Sequence, residues 1–163
     1  MRLLPRKIFF TNGVGSHREH LESFEMALRD AEIEKFNLVM VSSILPPNCQ
    51  LIDKVEGLKE LTPGEVVFCV MSRNSSNEPN RRVSASLGCA IPNNSEEFGY
   101  ISEHHAFGEP SEVSGEYAEK LASSMYNTWT ESEPKETFNI SKSAVVTDDG
   151  LWTTVISVAV MLL

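Results

Sequence analysis

Stretches with the residue pattern of β-strands outnumber helical stretches in this chain, and the helical ones lie at separate points among them. Seven segments have strand composition, at residues 7–11, 36–41, 65–71, 82–91, 98–106, 137–147 and 151–161. Two segments place apolar side chains three or four residues apart, as in amphipathic helices, at residues 19–31 and 115–130. This order predicts an α+β sandwich of sheet and helices.

Turn residues between these segments suggest how the strands connect. Asn12-Gly13-Val14-Gly15 predicts a tight turn after the first strand, and Ser16 is placed to cap the first helix. The apolar run Phe36–Val41, interrupted only by Asn37, predicts a buried strand. Asp148-Asp149-Gly150 predicts a hairpin turn that pairs the last two strands with each other.

Size, charge and cysteine content exclude several classes of partner. At 163 residues we expect one domain over residues 1–163, and the net charge of −9 argues against a nucleic-acid partner. No stretch approaches the roughly 20 apolar residues of a membrane span, and no secretion signal is recognisable, so a cytoplasmic protein is expected. Cys49, Cys69 and Cys89 fit neither a disulfide framework nor a zinc site, and we expect reduced, mostly buried thiols.

The segment that carries chemistry is Val41-Ser42-Ser43-Ile44-Leu45-Pro46-Pro47, where a strand meets a proline pair. As a bare pattern it is typical of a turn. If the turn strains the backbone, the Ser43 hydroxyl can attack the carbonyl of Ser42 and exchange the amide for an ester. Elimination and hydrolysis then leave a pyruvoyl group at position 43 and divide the chain into residues 1–42 and 43–163. That ketone forms a Schiff base with a substrate amine and accepts electrons, so no diffusible cofactor is needed.

The sequence around this segment resembles the archaeal-type family of pyruvoyl-dependent arginine decarboxylases. Matching blocks occur in the family's order and with similar spacing. They are Phe24-Glu25-x-Ala27-Leu28, Asn37-Leu38, Val41–Pro47, Ala90-Ile91-Pro92 and Gly99-Tyr100-Ile101-x-Glu103. The resemblance implies an αββα sandwich of mainly antiparallel sheet, in which cleaved protomers assemble as trimers or multiples of trimers with active sites between subunits. It also implies conversion of L-arginine to agmatine and carbon dioxide.

The resemblance further implies roles for single residues. Ser43 corresponds to the pyruvoyl residue, Ser42 to the new C-terminus and Asn37 to a polar residue near the cleavage and substrate site. Glu103 corresponds to the acid that protonates the α-carbon. Glu25 corresponds to the carboxylate that holds the guanidinium, which is aspartate in the archaeal enzyme.

The residues themselves leave simpler interpretations open. A strand glutamate such as Glu103 is usually exposed to solvent, and a general acid near neutral pH needs an apolar setting that raises its pKa. Glu25 could be an ordinary exposed helix acid, and Asn37 could bond to backbone groups. Phe36 and Ile44 would form apolar walls along a substrate chain, although core packing explains them equally well.

Three alternatives remain beside arginine decarboxylation. The substrate could be ornithine, lysine or histidine, because glutamate at position 25 leaves less space than aspartate. The chain could also be an unprocessed structural or regulatory homologue. A metal site at His104-His105, beside Glu103 and near Glu109, is not expected, because adjacent strand residues point to opposite faces.

Overall fold

The computed structural model describes residues 1–163, which form nine strands and three helices. The strands are β1 (Lys7–His17), β2 (Asn37–Met40), β3 (Ile44–Leu45), β4 (Gln50–Leu51), β5 (Val66–Ser76), β6 (Arg82–Ile91), β7 (Gly99–Phe107), β8 (Glu136–Val145) and β9 (Trp152–Leu162). The helices are α1 (His20–Asp30), α2 (Lys54–Glu60) and α3 (Ser111–Thr130). No helix is both long enough and apolar enough to span a bilayer.

The strands form two sheets, which we call sheet A and sheet B. Sheet A has the order β2-β5-β9-β1-β4, and sheet B has the order β3-β7-β6-β8. Every pairing is antiparallel except β1 with β4 and β2 with β5. The predicted α+β class with mainly antiparallel sheet is confirmed.

Three groups of buried side chains show how the layers stack. One group joins α1 to sheet A, and it includes Phe9, Ala27 and Val158. A second lies between the two sheets, and a third joins sheet B to α3 through Ala90, Ala122 and Tyr126. The layer order is therefore helix, sheet, sheet, helix.

The glycines at residues 12–15 do not form the predicted turn, because β1 continues through them to His17. A Cβ atom at Gly13 would overlap the carbonyl oxygen of Ala27, and one at Gly15 would overlap the backbone of α1. These glycines allow the helix to lie directly on the strand. Ser16 is part of β1 and lies 3.2 Å from Thr153 through their hydroxyl oxygens, so it does not cap α1.

The last two strands do not form the predicted hairpin. β8 pairs with β6 at the edge of sheet B, whereas β9 lies between β5 and β1 in sheet A. The side chains of β9 are buried on both faces from Thr153 to Leu162, which requires a central position in the sandwich. The Asp148-Asp149-Gly150 turn therefore carries the chain from one sheet to the other.

The predicted buried strand at residues 36–41 is an exposed edge strand instead. Only Phe36 is buried, while Met40 keeps 67% of its surface exposed and Val39 keeps 42%. β2 pairs on one side alone, with β5. Its apolar composition therefore does not follow from burial within one chain.

Candidate active site

The peptide between Ser42 and Ser43 lies where the chain leaves sheet A and enters sheet B. The amide of Val41 donates a 2.9 Å hydrogen bond to the carbonyl of Cys69 in sheet A. The carbonyl of Ser43 accepts a 2.8 Å hydrogen bond from the amide of Ile101 in sheet B. The Ser42 carbonyl and the Ser43 amide make no hydrogen bond to any protein group. The backbone is thus held on both sides of a peptide that is itself unrestrained.

The proline pair explains why β3 ends after two residues. Proline lacks the amide hydrogen that a strand ladder requires, and Pro46 follows Leu45 directly. The turn then closes through Asn48, which adopts a φ of 55° and donates its amide to the carbonyl of Ser95 at 2.7 Å. Tertiary contacts therefore anchor the chain on the C-terminal side of Ser43 as well.

A pocket of about 510 Å³ opens beside this crossing, between α1, β2, β5 and β7. It combines an apolar wall with an amide and three charged or titratable groups. The lining residues are Phe24, Leu28, Phe36, Asn37, Leu38, Met40, Met71, Arg73, Glu103 and His105. We call it the Glu103 pocket.

Glu103 has the electrostatic setting of a proton donor. Its side chain is open to solvent on one side, but the surrounding protein displaces enough water to raise the pKa of the carboxyl above its ordinary value. His105 acts in the opposite direction, since a positive charge favours the ionised carboxylate. A raised pKa keeps more of the carboxyl protonated at a given pH, as a general acid requires.

Asn37 lies at the exposed start of β2 and not inside an apolar strand. Its side-chain nitrogen donates a 2.7 Å hydrogen bond to the carbonyl of Gly64. This bond fixes the orientation of the amide, and Asn37 lines the Glu103 pocket. The partner that sequence analysis left open is therefore a backbone group.

Glu25 stands apart from the lining of the Glu103 pocket. Its carboxylate forms a 3.0 Å ion pair with Arg29, one turn further along α1. The preceding residue, Phe24, does line the pocket, so Glu25 belongs to the same helix segment but faces another direction. Phe36 is 7% exposed, packs in the core and also lines the pocket.

Ser42 and Ile44 line a second pocket, of about 280 Å³, at the crossing. Its wall is mainly apolar and includes Leu3, Leu4, Phe68 and Met161. Ser43 itself is half-buried, and its neighbours on both sides line this second pocket. The structure thus gathers Phe36, Asn37 and Glu103 in one pocket, places Ser42 and Ile44 in another, and leaves Glu25 outside both.

Two pocket residues, Arg73 and His105, were missed by sequence analysis. His105 follows Glu103 by two residues on a strand, so the rule of alternating faces could have identified it. Arg73 lies beyond the strand predicted at residues 65–71, whereas β5 continues to Ser76. The side chains of Ser72 and Asn74 donate hydrogen bonds to the carbonyls of His104 and Ala106, which extends the strand.

His104 points away from the Glu103 pocket. Its Nε2 lies 2.9 Å from the carboxylate of Glu109, and its ring packs 4.5 Å from that of Tyr117 on α3. The three cysteines are free, and burial raises the pKa of Cys49 to about 11 and those of Cys69 and Cys89 to about 12. Such thiols remain protonated near neutral pH. In the Glu103 pocket, the acid whose pKa is raised is Glu103.

Comparison with known proteins gives one consistent result. A family model described as pyruvoyl-dependent arginine decarboxylase matches residues 7–163. A pyruvoyl-dependent arginine decarboxylase of Methanocella arvoryzae is 65% identical over 99% of this chain and 98% of its own length. Pyruvoyl-dependent arginine decarboxylase 1 of Methanosarcina acetivorans is 62% identical over the same shares. A probable pyruvoyl-dependent arginine decarboxylase of Chloroherpeton thalassium is 51% identical over 99% of this chain and its full length.

Proposed function

Because the chain belongs to the pyruvoyl-dependent arginine decarboxylase family, we propose that it cleaves itself before Ser43 and then converts L-arginine to agmatine and carbon dioxide. The observation that carries the proposal is the free peptide at the sheet crossing. Its two groups make no hydrogen bond, while Val41 and Ser43 are fixed to different sheets. A peptide can rearrange more readily at such a position than inside a strand ladder, because no backbone hydrogen bond of that peptide has to be broken.

Cleavage uses only groups of the chain and one water molecule. The Ser43 oxygen attacks the carbonyl carbon of Ser42, and the C–N bond breaks as a C–O bond forms. Loss of the Ser43 α-proton expels the Ser42 carboxylate, which becomes the new C-terminus. Water then replaces nitrogen at residue 43 and releases ammonia. Residues 1–42 stay bound after the cut, because β1 lies between β9 and β4 inside sheet A.

The residues around position 43 fit a ketone there. A pyruvoyl group supplies a carbonyl that condenses with the substrate amine and accepts the electrons released on decarboxylation. The carbonyl of Ser43 is held by Ile101, two residues before Glu103 on β7. We assign to Glu103 the delivery of a proton to the α-carbon, and to Asn37 the orientation of polar groups beside it.

The substrate chain needs apolar walls and an acid at its far end. Phe36 and Ile44 supply apolar surface on the two sides of the crossing. Glu25 is the proposed partner of the guanidinium. Its present bond to Arg29 is an exposed pair within one helix, of a type that contributes only about 0.3–0.5 kcal/mol. A substrate guanidinium, which can form two parallel hydrogen bonds to one carboxylate, can therefore displace Arg29.

Exposed apolar side chains around the crossing support assembly of cleaved protomers as a homotrimer or a multiple of trimers. They lie on the edge strands β2 and β3, on the loop between these strands and at the start of β5. Their exposed fractions range from 38% to 67% and the residues are Val39, Met40, Val41, Ile44 and Val66. A neighbouring copy that covers them would remove this surface from water and close the site.

The intact mass of the purified protein under denaturing conditions tests the proposal. We expect two fragments, residues 1–42 with an ordinary carboxyl end and residues 43–163 beginning with a pyruvoyl group. Carbon dioxide release from carboxyl-labelled L-arginine, with agmatine as the second product, tests the reaction. A single uncut mass, or cleavage without agmatine formation, would contradict the proposal.

A further inference from the structure

The Glu103 pocket contains two basic side chains and no acid other than Glu103. The guanidinium carbon of Arg73 lies 4.3 Å from the centre of the Phe24 ring, which holds its plane in place. No carboxylate pairs with Arg73, in contrast to Arg29 and Arg81, which both have glutamate partners. The hydrogen-bond donors of Arg73 are therefore available to a ligand.

The charge of this pocket selects which end of arginine it can bind. Glu103 must be protonated to deliver its proton, and in that state it carries no charge. Arg73 then leaves the pocket positive, and a protonated His105 adds to this. Such a pocket attracts the carboxylate of an amino acid and repels its guanidinium. The same charge disfavours a substrate that enters with its side chain towards Arg73.

Resting on the proposed function, we propose that Arg73, with His105 beside it, binds the α-carboxylate of the substrate and makes the site prefer arginine to agmatine. A guanidinium and a carboxylate can form two parallel charge-assisted hydrogen bonds. Arg73 is thereby a specificity-determining residue, and His105 is a second basic side chain in the same pocket.

During turnover the interaction of Arg73 with the bound molecule changes from attraction to repulsion. Decarboxylation breaks the bond between the carboxyl carbon and the α-carbon, carbon dioxide leaves, and the α-carbon takes the proton of Glu103. Water releases the product amine, and Glu103, which donation left ionised, regains a proton from solvent. The product has lost its anionic group and keeps only cationic ones, so the pocket with Arg73 then repels it. Because the carboxylate contact is made in the ground state, it lowers KM without raising kcat. Its benefits are discrimination and release of product.

The test compares arginine and agmatine on the processed enzyme. Arg73→Gln is expected to raise the KM for arginine and to lower the inhibition constant of agmatine, so their ratio changes by about tenfold or more, the effect of one charge-assisted hydrogen bond. Calorimetric titration with agmatine should show tighter binding in the variant. Arg73→Lys keeps the charge and should retain most of the discrimination.

Arg81→Gln is the matched control. The guanidinium of Arg81 also lies over a phenylalanine ring, that of Phe107 at 5.6 Å, but outside the Glu103 pocket. The Arg81→Gln substitution should leave the ratio of the KM for arginine to the inhibition constant of agmatine unchanged. The role of Arg73 would be overturned if Arg73→Gln changed the KM for arginine and the inhibition constant of agmatine by the same factor. It would also be overturned if Arg81→Gln changed their ratio as much as Arg73→Gln does.

Processing and activity of the unaltered enzyme are measured first. An uncut or inactive unaltered chain contradicts the proposed function, whereas cut, active variants with an unchanged ratio contradict the role of Arg73 alone. If Arg73→Gln does not fold, His105→Gln decides the question. His105→Gln should shift the ratio in the direction expected for Arg73→Gln, and an unchanged ratio in His105→Gln would overturn the inference.

Discussion

The carbonyl of Ser43 accepts a 2.8 Å hydrogen bond from the amide of Ile101, two residues before Glu103 on β7. Side chains two residues apart on a strand point to the same face, so the backbone of one strand relates the proposed pyruvoyl position to the proposed proton donor. Ser43 itself lies in a bend between β2 and β3, and this hydrogen bond connects it to the strand that carries Glu103.

Ser43→Ala should leave one uncut chain without activity, because alanine has no oxygen to attack the carbonyl of Ser42. Ser42→Ala is the matched control one residue away. It should still cleave, since Ser42 contributes only its carbonyl to the reaction. Denaturing mass spectrometry of both variants checks the prediction. Normal cleavage in Ser43→Ala, or loss of cleavage in a folded Ser42→Ala, would contradict it.

Glu103→Gln should still cleave but turn over about 10²–10⁴-fold more slowly, because an amide cannot donate the proton to the α-carbon. In the unaltered enzyme kcat should fall as pH rises through the raised pKa of Glu103, since the acid must be protonated. Steady-state rates over a pH series measure both effects. Glu109→Gln, which removes an acid bonded to His104 outside the pocket, should change kcat little. Undiminished turnover in Glu103→Gln would exclude the role.

The raised pKa of Glu103 also predicts how stability depends on pH. Below the ordinary pKa of about 4.5 the carboxyl is protonated in both the folded and the unfolded chain. As pH rises towards the folded pKa, the unfolded chain loses its proton first, so the free energy of unfolding declines over this window. Glu103→Gln should lack this part of the decline. Urea unfolding of Ser43→Ala with and without Glu103→Gln, at several pH values, measures the difference. The prediction is contradicted if the free energy of unfolding depends on pH in the same way in both chains.

Glu25→Gln should raise the KM for L-arginine by about tenfold or more, because the guanidinium loses a charge-assisted hydrogen bond. Glu25→Asp keeps the charge and should retain most of the affinity. Release of carbon dioxide from arginine, ornithine, lysine and histidine, compared between these variants, measures the effect. An unchanged preference for arginine in Glu25→Gln would assign guanidinium recognition to another group.

Gly13→Ala should destabilise the chain by about 1–3 kcal/mol or more, because the added Cβ overlaps the carbonyl oxygen of Ala27 and forces α1 away from β1. Ser16→Ala, on the exposed end of the same strand, is the control and should change the free energy of unfolding by only about 0.5 kcal/mol. Both changes are measured in the uncut Ser43→Ala chain. Equal effects of the two substitutions would show that packing against α1 is not the cause.

Local sequence patterns predicted several elements well. The bounds of β6 agree with the expected strand at residues 82–91, and α1 differs from its prediction by one residue at each end. Both have side-chain patterns that repeat with the period of their backbone. α3 agrees less well, since it begins at Ser111 and its aromatic side chains Tyr117 and Trp129 remain exposed. The side chains that it buries against sheet B are four small ones and that of Tyr126.

Errors arose wherever distant packing overrides local preference. The glycines of β1 were interpreted as a turn because their reason, the nearness of α1, is not visible along the chain. The last two strands are close in sequence but pair in different sheets, because β9 has partners on both sides that come from far earlier in the chain. Arg73 was missed because the extension of β5 to Ser76 depends on pairing with the distant strand β9 and on side-chain bonds to β7.

By itself the sequence determined the family, the α+β class and the proposed chemical roles of Ser43, Glu103 and Glu25, because these depend on motifs, periodicity and side-chain chemistry. Only the tertiary structure decided that Ser42-Ser43 crosses between two sheets and that Arg73 and His105 share a pocket with Glu103. It also showed that Glu25 pairs with Arg29 outside that pocket. The sheet crossing, the place of Arg73 in the pocket of Glu103 and the position of Glu25 outside that pocket depend on how distant elements pack, which no local pattern encodes.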